Sequence, residues 1–480
     1  METELHSGPP TFALFASFAV VFLPCFSLVA GALVLPSCGN DGGERGGAPS
    51  VLLIVVDTLR ADHLGAYGYA RPTSANIDAL ARGGALFEQA QSASSWTLPS
   101  MASLLTGLAP SRHGCGVERD DQGAVLPREF RGLAESVPTL AEAFAAGGYA
   151  TAAVVTNSFM KPAFGLQQGF QHYDARFPMD AKDAVDELLA WFEARPERPF
   201  FVLAHFMDPH LPYDAPAGDA PAGDAPAGFR GSFTKDTPSR LSLPVKELKR
   251  LRQAAATISE RDRAFVTAAY DEEIAFVDSQ IGRLLDALRS AGALDGAFVV
   301  LTADHGEELF EHEGFEHGHS MYQELLHVPL IVSGPGIESR RIATPVSLLD
   351  VAATIRALTG APPGGPGGIG GQSLVPELRG EISIPRALLS EGTLYGENQD
   401  ALLDWPNKVV ARPSGALAFD LARDPLERGS LALAPAFEGL RTELERRQAE
   451  ERSRAEPAPL ADLDPVIQGD LEDLGYAGDR

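Results

Sequence analysis

The chain has 480 residues, 45% hydrophobic and 22% charged, which is enough material for one large buried core with an appendage. A formal net charge of −26 sets it against nucleic acid and anionic membrane surfaces as partners on Coulomb grounds. Of its three cysteines, Cys25, Cys38 and Cys115, one lies in the body of the chain, so a disulfide framework and a cysteine-based zinc site are excluded there.

Residues 11–35 carry no charge, a stretch long for a signal sequence and long enough to span a bilayer. It runs into Leu35-Pro36-Ser37-Cys38, which is similar to a bacterial lipoprotein cleavage box, although no Lys or Arg precedes it. Residues 1–38 therefore read as a signal peptide with a lipid anchor or as a plain membrane anchor. Residues 39–49 read as a Gly-rich flexible tether. The domain that follows is expected to be extracytoplasmic and membrane-anchored.

The continuous apolar run 51–56 predicts a buried parallel strand that delivers Asp57 to its carboxyl end. Further strands are predicted at 151–155, 200–204, 297–302 and 328–332, with helices at 74–82, 137–146, 181–194 and 260–290. Strand alternating with helix implies an α/β domain with a mostly parallel sheet. Between the first strands, Pro99 suits the first turn of a helix, so Thr97 would sit just ahead of a helix N-terminus. Unpaired N–H groups and the helix dipole favour an anion or alkoxide there.

Strand 200–204 is followed by His205 and His210, and a lone histidine at a strand end is more often structural. The three Asp-Ala-Pro-Ala-Gly repeats over 214–228 read as an exposed loop expansion. The run 297–302 stops at Asp304-His305-Gly306, and four His and five Glu lie within 305–319. Taken alone, that stretch is either a solvated acidic loop or half of a metal site at a strand end. A small C-terminal subdomain over 376–435 follows the main α/β domain over 50–375. The tail 436–480 contains a charged helix, 437–452, expected to be a solvated surface helix.

Four ordered blocks resemble the sulfatase family of the alkaline phosphatase superfamily. They are Leu53-Ile-Val-Val-Asp57 with its continuation to Gly68, Thr97-Leu-Pro-Ser100 with Leu104-Leu-Thr-Gly107, Asp208-Pro-His210-Leu-Pro212, and Thr302-Ala-Asp304-His305-Gly306 with Tyr322. The resemblance covers roughly 50–430. It implies an alkaline-phosphatase-like three-layer α/β sandwich with a smaller C-terminal subdomain.

It also implies that Asp57, Asp304 and His305 bind one divalent metal ion. The mixed oxygen and nitrogen set favours Mn or Zn, with Ca as the alternative. Many family members carry a second aspartate where this chain has Thr58. The nucleophile position, a cysteine or serine converted to formylglycine in classical sulfatases, is Thr97, and the arginine of that motif is Met101. Thr97 would attack directly, as in the phosphoethanolamine-transferase and lipoteichoic-acid-synthase relatives.

The family's Lys-x-His pair is absent near Thr156-Asn157-Ser158, leaving Asn157 as the substrate-binding residue there. His210 and His317 are implied as catalytic contacts to the anion or leaving oxygen, and His319 as a substrate contact. Glu307, Glu308, His312, Glu313 and Glu316 are then expected to be solvated loop. The expected function is metal-dependent hydrolysis of a small or polymeric sulfate or phosphate ester. A phosphotransferase acting on an envelope glycan or lipid, and a non-catalytic surface-tethered binding protein, are the alternatives.

Overall fold

The computed structural model describes residues 48–480 except 121–122, 195–198, 217–228, 238, 240, 242, 244, 363–367, 433, 475 and 477–480. The expected anchor, nearly all of the tether and most of the repeat loop lie outside the described residues. Among the described residues, no helix is long and apolar enough to cross a membrane.

A nine-stranded sheet organises the chain. Its strands are β1 (Val51–Val56), β2 (Ala85–Gln91), β3 (Ala150–Val154), β4 (His172–Asp174), β5 (Phe200–Phe206), β6 (Phe298–Thr302), β7 (His327–Ser333), β8 (Arg340–Ile342) and β9 (Val346–Ser347). The order is β8-β2-β7-β6-β1-β5-β3-β4, with β9 also paired to β2. Every pairing is parallel except those of β7 with β2 and β6. The five predicted strands all form. Strand β2 escapes a hydrophobicity reading because Glu88 and Gln89 interrupt its apolar run.

All six residues of β1 are fully buried, as a parallel strand covered on both faces requires. The helices include α1 (Ala75–Gly83), α2 (Thr97–Thr106), α3 (Leu140–Ala146), α4 (Ala181–Ala194), α5 (Glu260–Ser290) and α6 (Leu349–Thr359). Helix α5 packs on α1 and α4, while α2 packs on α3 and α6. In α5 the buried residues Val266, Tyr270, Ile274, Val277, Ile281 and Leu285 recur every three or four positions and form one apolar stripe. Helix α3 starts at Leu140, three residues later than its apolar pattern predicts. Thr139 caps it in a reciprocal box with Glu142, and the cap fixes the first turn.

The C-terminal region forms an antiparallel meander, β10 (Leu388–Glu391), β11 (Asp400–Asp404), β12 (Asn407–Ala411) and β13 (Leu417–Asp420), followed by α7 (Pro435–Ser453) and α8 (Pro465–Asp473). The expected solvated helix at 437–452 in fact buries one narrow face. Phe437, Leu440 and Leu444 pack against Leu389, Leu402, Val409 and Ala418 of the meander. Their spacing of three and four residues makes a stripe that the charge count conceals, while pairs such as Arg441 with Glu445 occupy the wet face. Helix α8 is capped by Asp464, whose carboxylate accepts from the backbone N–H groups of Val466 and Ile467 at 2.8 Å each. Its Ile467 and Leu471, with Leu474 and Tyr476 beyond, join the main hydrophobic core.

Candidate active site

Parallel register brings the site together. Val55 of β1 is level with Thr302 of β6 and with His205 of β5, and Val154 of β3 is level with Ala204 of β5. The segments leaving β1, β6 and β3 therefore carry Asp57, Asp304 and Asn157 to one edge of the sheet, beside His205. This is the carboxyl edge, where an open parallel sheet leaves a crevice for ligands.

After Asp57 the backbone turns sharply through Thr58, which has a φ of 57°. A β-branched residue in the left-handed region is strained by about 1–3 kcal/mol and needs outside support. Tyr270 supplies it by donating its hydroxyl to the Thr58 carbonyl at 2.7 Å and accepting the Arg60 N–H at 3.0 Å. At the next strand end, Asp304 Oδ1 accepts the N–H groups of His305 at 2.9 Å and Thr58 at 3.3 Å. Ser100 Oγ in α2 donates to the Asp304 carbonyl at 2.6 Å, which ties that helix to the loop.

Thr97 is the first residue of α2, one position further into the helix than its sequence suggests, with Trp96 as the cap. Its hydroxyl is buried and donates to Asp57 Oδ2 at 3.4 Å. Oγ1 also lies 3.3 Å from His305 Nε2 and accepts from Asn157 Nδ2 at 3.3 Å. His305 Nδ1 lies 2.9 Å from the Gly306 carbonyl, which makes Nδ1 the protonated nitrogen in the neutral ring and aims the Nε2 lone pair at Thr97.

Several buried polar atoms here have no hydrogen-bond partner: Asp57 Oδ1, Asp304 Oδ2, Thr58 Oγ1 and both ring nitrogens of His205. Each such atom costs about 1–3 kcal/mol, more when charged, and so calls for a ligand. His305 Nε2 lies 3.5 Å from Asp57 Oδ1 and 3.4 Å from Asp304 Oδ2. Donor atoms bound to one ion at about 2.1 Å are spaced by about 3.0–3.5 Å, so these separations fit a coordination shell. Asp57, His205 and Asp304 also form a buried group with ligand atoms close enough to hold a metal ion.

The electrostatics agree. Burial, then the neighbouring Asp304, pushes the Asp57 carboxyl up to about 8, and burial pushes Asp304 up to about 7. Two carboxylates in so dry a place resist ionising together unless a cation joins them. His205, which the sequence leaves as structural, is pushed down to about 3 by burial and then by His305. It is a neutral nitrogen donor at physiological pH. The signal for it was an imidazole inside the otherwise apolar strand Phe200–Phe206.

His210 and His317 meet at the mouth of this group, with ring centroids 4.9 Å apart, and the His317 ring lies tilted 4.6 Å from that of His305. His210 Nδ1 is 2.7 Å from the Leu211 carbonyl and His317 Nδ1 is 2.9 Å from Glu307 Oε1. Burial holds His210 down to about 4, so it is neutral at pH 7.

Two implied substrate contacts are engaged elsewhere. Asn157 gives its amide to Asp57 and Thr97, and His319 Nε2 lies 2.7 Å from Glu308 Oε2. The acidic loop is not solvated as expected. Glu307, Glu308 and Glu316 are buried, and His312 is partly buried and stacks on Tyr322 at 3.6 Å. Glu313 alone of that set of five is exposed. Glu308 gains the backbone N–H groups of His312 and Gly314, and Glu316 gains Arg252, which offset desolvation in a way no composition reveals.

Tyr476 is the residue that sequence reasoning missed altogether. Its hydroxyl lies 2.6 Å from His210 Nε2 and 2.9 Å from His317 Nε2. An aromatic between Gly475 and Ala477, more than 150 residues from either histidine, gives no sequence signal.

Fold and site together define an α/β protein in which a helix-terminal hydroxyl and paired carboxylates converge at the carboxyl edge of a parallel sheet. The Sulfatase family model matches residues 49–361. The chain is 28% identical over 432 residues to the Delta 4,5-hexuronate-2-O-sulfatase of Bacteroides thetaiotaomicron, spanning 81% of this chain and 85% of that one. The solved structure of a 2-O GAG sulfatase is similar at a TM-score of 0.66 and 25% identity, covering 88% of this chain and 96% of that chain. The phosphonate monoester hydrolase of Agrobacterium radiobacter shares the fold at a TM-score of 0.63 and 22% identity, covering 85% of this chain and 96% of that chain. The chain belongs to the sulfatase family of hydrolases, and the resemblance carried by the four motif blocks is borne out.

Proposed function

We propose that this hydrolase cleaves a sulfate or phosphate ester by direct attack of the Thr97 hydroxyl, without formylglycine. The observation that carries the reading is the position of Thr97 Oγ1, at a helix N-terminus and within 3.4 Å of Asp57 Oδ2, His305 Nε2 and Asn157 Nδ2. The activities of the relatives, a 2-O-sulfatase and a phosphonate monoester hydrolase, support the substrate class.

Asp57 Oδ1, Asp304 Oδ2 and His305 Nε2, with His205 as a further nitrogen, would hold one divalent cation. Manganese or zinc suits this mixed donor set. Such an ion, when bound, makes a nearby hydroxyl more acidic and stabilises charge on the ester oxygens.

The chain's own residues supply the rest. Asp57 Oδ2 accepts the Thr97 proton, while Asn157 Nδ2 orients the Thr97 oxygen by donating to it. The Thr97 Oγ–sulfur or Oγ–phosphorus bond forms as the bond to the leaving oxygen breaks. His317, entering the step with a proton on both ring nitrogens and Nδ1 held by Glu307, gives that oxygen the proton from Nε2. His210, neutral at pH 7 and tied to a carbonyl, orients the leaving group instead of protonating it. Water then attacks the sulfur or phosphorus and gives a proton to His317, the bond to Thr97 Oγ breaks, Asp57 Oδ2 returns its proton to that oxygen, and sulfate or phosphate leaves. The apolar stretch 11–35 is consistent with an anchored, extracytoplasmic enzyme.

Steady-state assays of the full chain with an aryl sulfate, a phosphate monoester, a phosphate diester and a phosphonate monoester test the reading. Turnover of at least one, abolished in Thr97→Ala, is expected. No turnover of any of the four with divalent metal present would sink it.

A further inference from the structure

The sulfatase-like site contains an oxygen that belongs to no substrate. Helix α8, with Leu474 and Tyr476 beyond it, forms a strap that reaches the mouth of the site. The strap is laid down by Gly132 N–H donating to the Pro459 carbonyl at 2.9 Å and Ala461 N–H donating to the Phe130 carbonyl at 2.8 Å. An ion pair of Lys161 with Asp470 holds it further along. Leu474 enters the core, and the Tyr476 ring lies 4.7 Å from that of Phe159. The phenol ends between two imidazoles whose Nδ1 atoms are already engaged by Leu211 O and Glu307 Oε1. It therefore occupies the remaining hydrogen-bonding atom of each ring.

We propose that Tyr476 is an intramolecular substrate mimic: its hydroxyl fills the slot between His210 Nε2 and His317 Nε2 that takes an ester oxygen, and Tyr476, with α8 behind it, withdraws when the substrate anion enters. The inference rests on the reading of His210 and His317 as contacts for the substrate. Three features argue for a displaceable group over a permanent wall. The phenol uses the same two nitrogens that an ester oxygen needs. Only Ile467 and Leu471 of α8 are buried, so most of that helix is not built into the core. The hydroxyl sits beside the reaction centre, since the His317 ring lies tilted 4.6 Å from that of His305 and His305 contacts Thr97.

Calorimetric binding of orthovanadate to the full chain, purified with manganese present, tests this in wild type, Tyr476→Phe and Tyr476→Ala. The dissociation constant is expected to tighten about tenfold in Tyr476→Ala, where oxygen and ring are both gone. A smaller tightening is expected in Tyr476→Phe, which loses the hydrogen bonds and keeps the bulk. Wild-type backbone amides over 465–474 should exchange faster with deuterium when orthovanadate is added. Unchanged or weaker affinity in both variants, or no binding by any of the three proteins, overturns the proposal. Because the readout is affinity and not turnover, a failure of ester hydrolysis counts against the proposed reaction alone.

Discussion

Asn157 Nδ2 lies 2.6 Å from Asp57 Oδ2, and the Oδ1 of the same side chain accepts the Phe159 N–H at 2.8 Å. The amide is fixed at one end by its own turn and at the other by the carboxylate that faces Thr97. A hydrogen bond to a charged group contributes about 1.5–3 kcal/mol, so its loss is felt as about 10–100-fold in rate. Asn157→Ala should lower kcat by that factor with KM changed little, because the residue orients the nucleophile and not the substrate. Steady-state kinetics separates the two, and a rise in KM at constant kcat would assign Asn157 to substrate binding.

Thr97→Ala removes the attacking oxygen and leaves the rest of α2 in place. We expect a loss of at least about 10³-fold in turnover, while Thr97→Ser retains activity within about tenfold. Mass spectrometry of wild type quenched during turnover should find the sulfuryl or phosphoryl group on Thr97. Undiminished activity in the alanine variant excludes Thr97 as nucleophile.

Asp57 and Asp304 are buried together, and a cation is expected to reconcile them. Chelation should lower the thermal midpoint of wild type, and manganese at about 100 times its dissociation constant should restore about 2.7 kcal/mol. Asp304→Asn removes one charge of the pair, so its midpoint should respond to neither chelator nor metal. Differential scanning calorimetry reads both. A metal response equal to wild type would remove Asp304 from the ligand set.

Lys408 and Glu427 form an ion pair at 2.8 Å beneath the C-terminal meander, both almost fully buried, and Lys408 Nζ also donates to the Met321 carbonyl at 2.5 Å. Deleting one partner leaves the other charge without compensation. Lys408→Met should cost about 3–5 kcal/mol, and the double variant with Glu427→Gln clearly less. Urea unfolding of the three proteins checks this, and equal destabilisation in single and double variants would deny the coupling.

Glu391 sits in the same region. Burial, then the nearby Asp400, pushes its carboxyl from 4.5 up to about 7. Below pH 4.5 the folded and unfolded chains both keep this proton. Between 4.5 and 7 only the unfolded chain releases it, so stability falls as pH rises, and above 7 the loss is constant at about 3 kcal/mol. Glu391→Gln should therefore be more stable than wild type at pH 8, with the difference shrinking as pH falls through 7 towards 4.5. A difference independent of pH between 4.5 and 8 would show that the Glu391 carboxyl keeps an ordinary pKa.

The elements most legible in the sequence were those whose signal is local. Val51–Val56 announces a doubly covered strand because all six residues are apolar, and Asp57 marks its end because a carboxylate has no place in that core. The same reasoning found Asp304 and His305 after Phe298–Thr302. Pro99 marked the start of α2, so Thr97 was placed to within one position. Motif order across some 270 residues, from Leu53 to Tyr322, then identified the family, since four ordered blocks constrain far more than any one.

Residues whose role depends on a distant partner were not legible. Glu307, Glu308 and Glu316 read as wet loop, because nothing near them in the chain predicts the partners that permit their burial. His205 became a candidate ligand only when register set it level with Val55, and Tyr476 only when the strap carried it back between His210 and His317. The sequence by itself determined the α/β sheet, the strand-end carboxylates and the threonine, because hydrophobic run length and backbone chemistry act over a few residues. The tertiary structure decided which imidazoles and carboxylates meet and which oxygen they hold, because hydrogen bonding and desolvation depend on neighbours that lie far away along the chain.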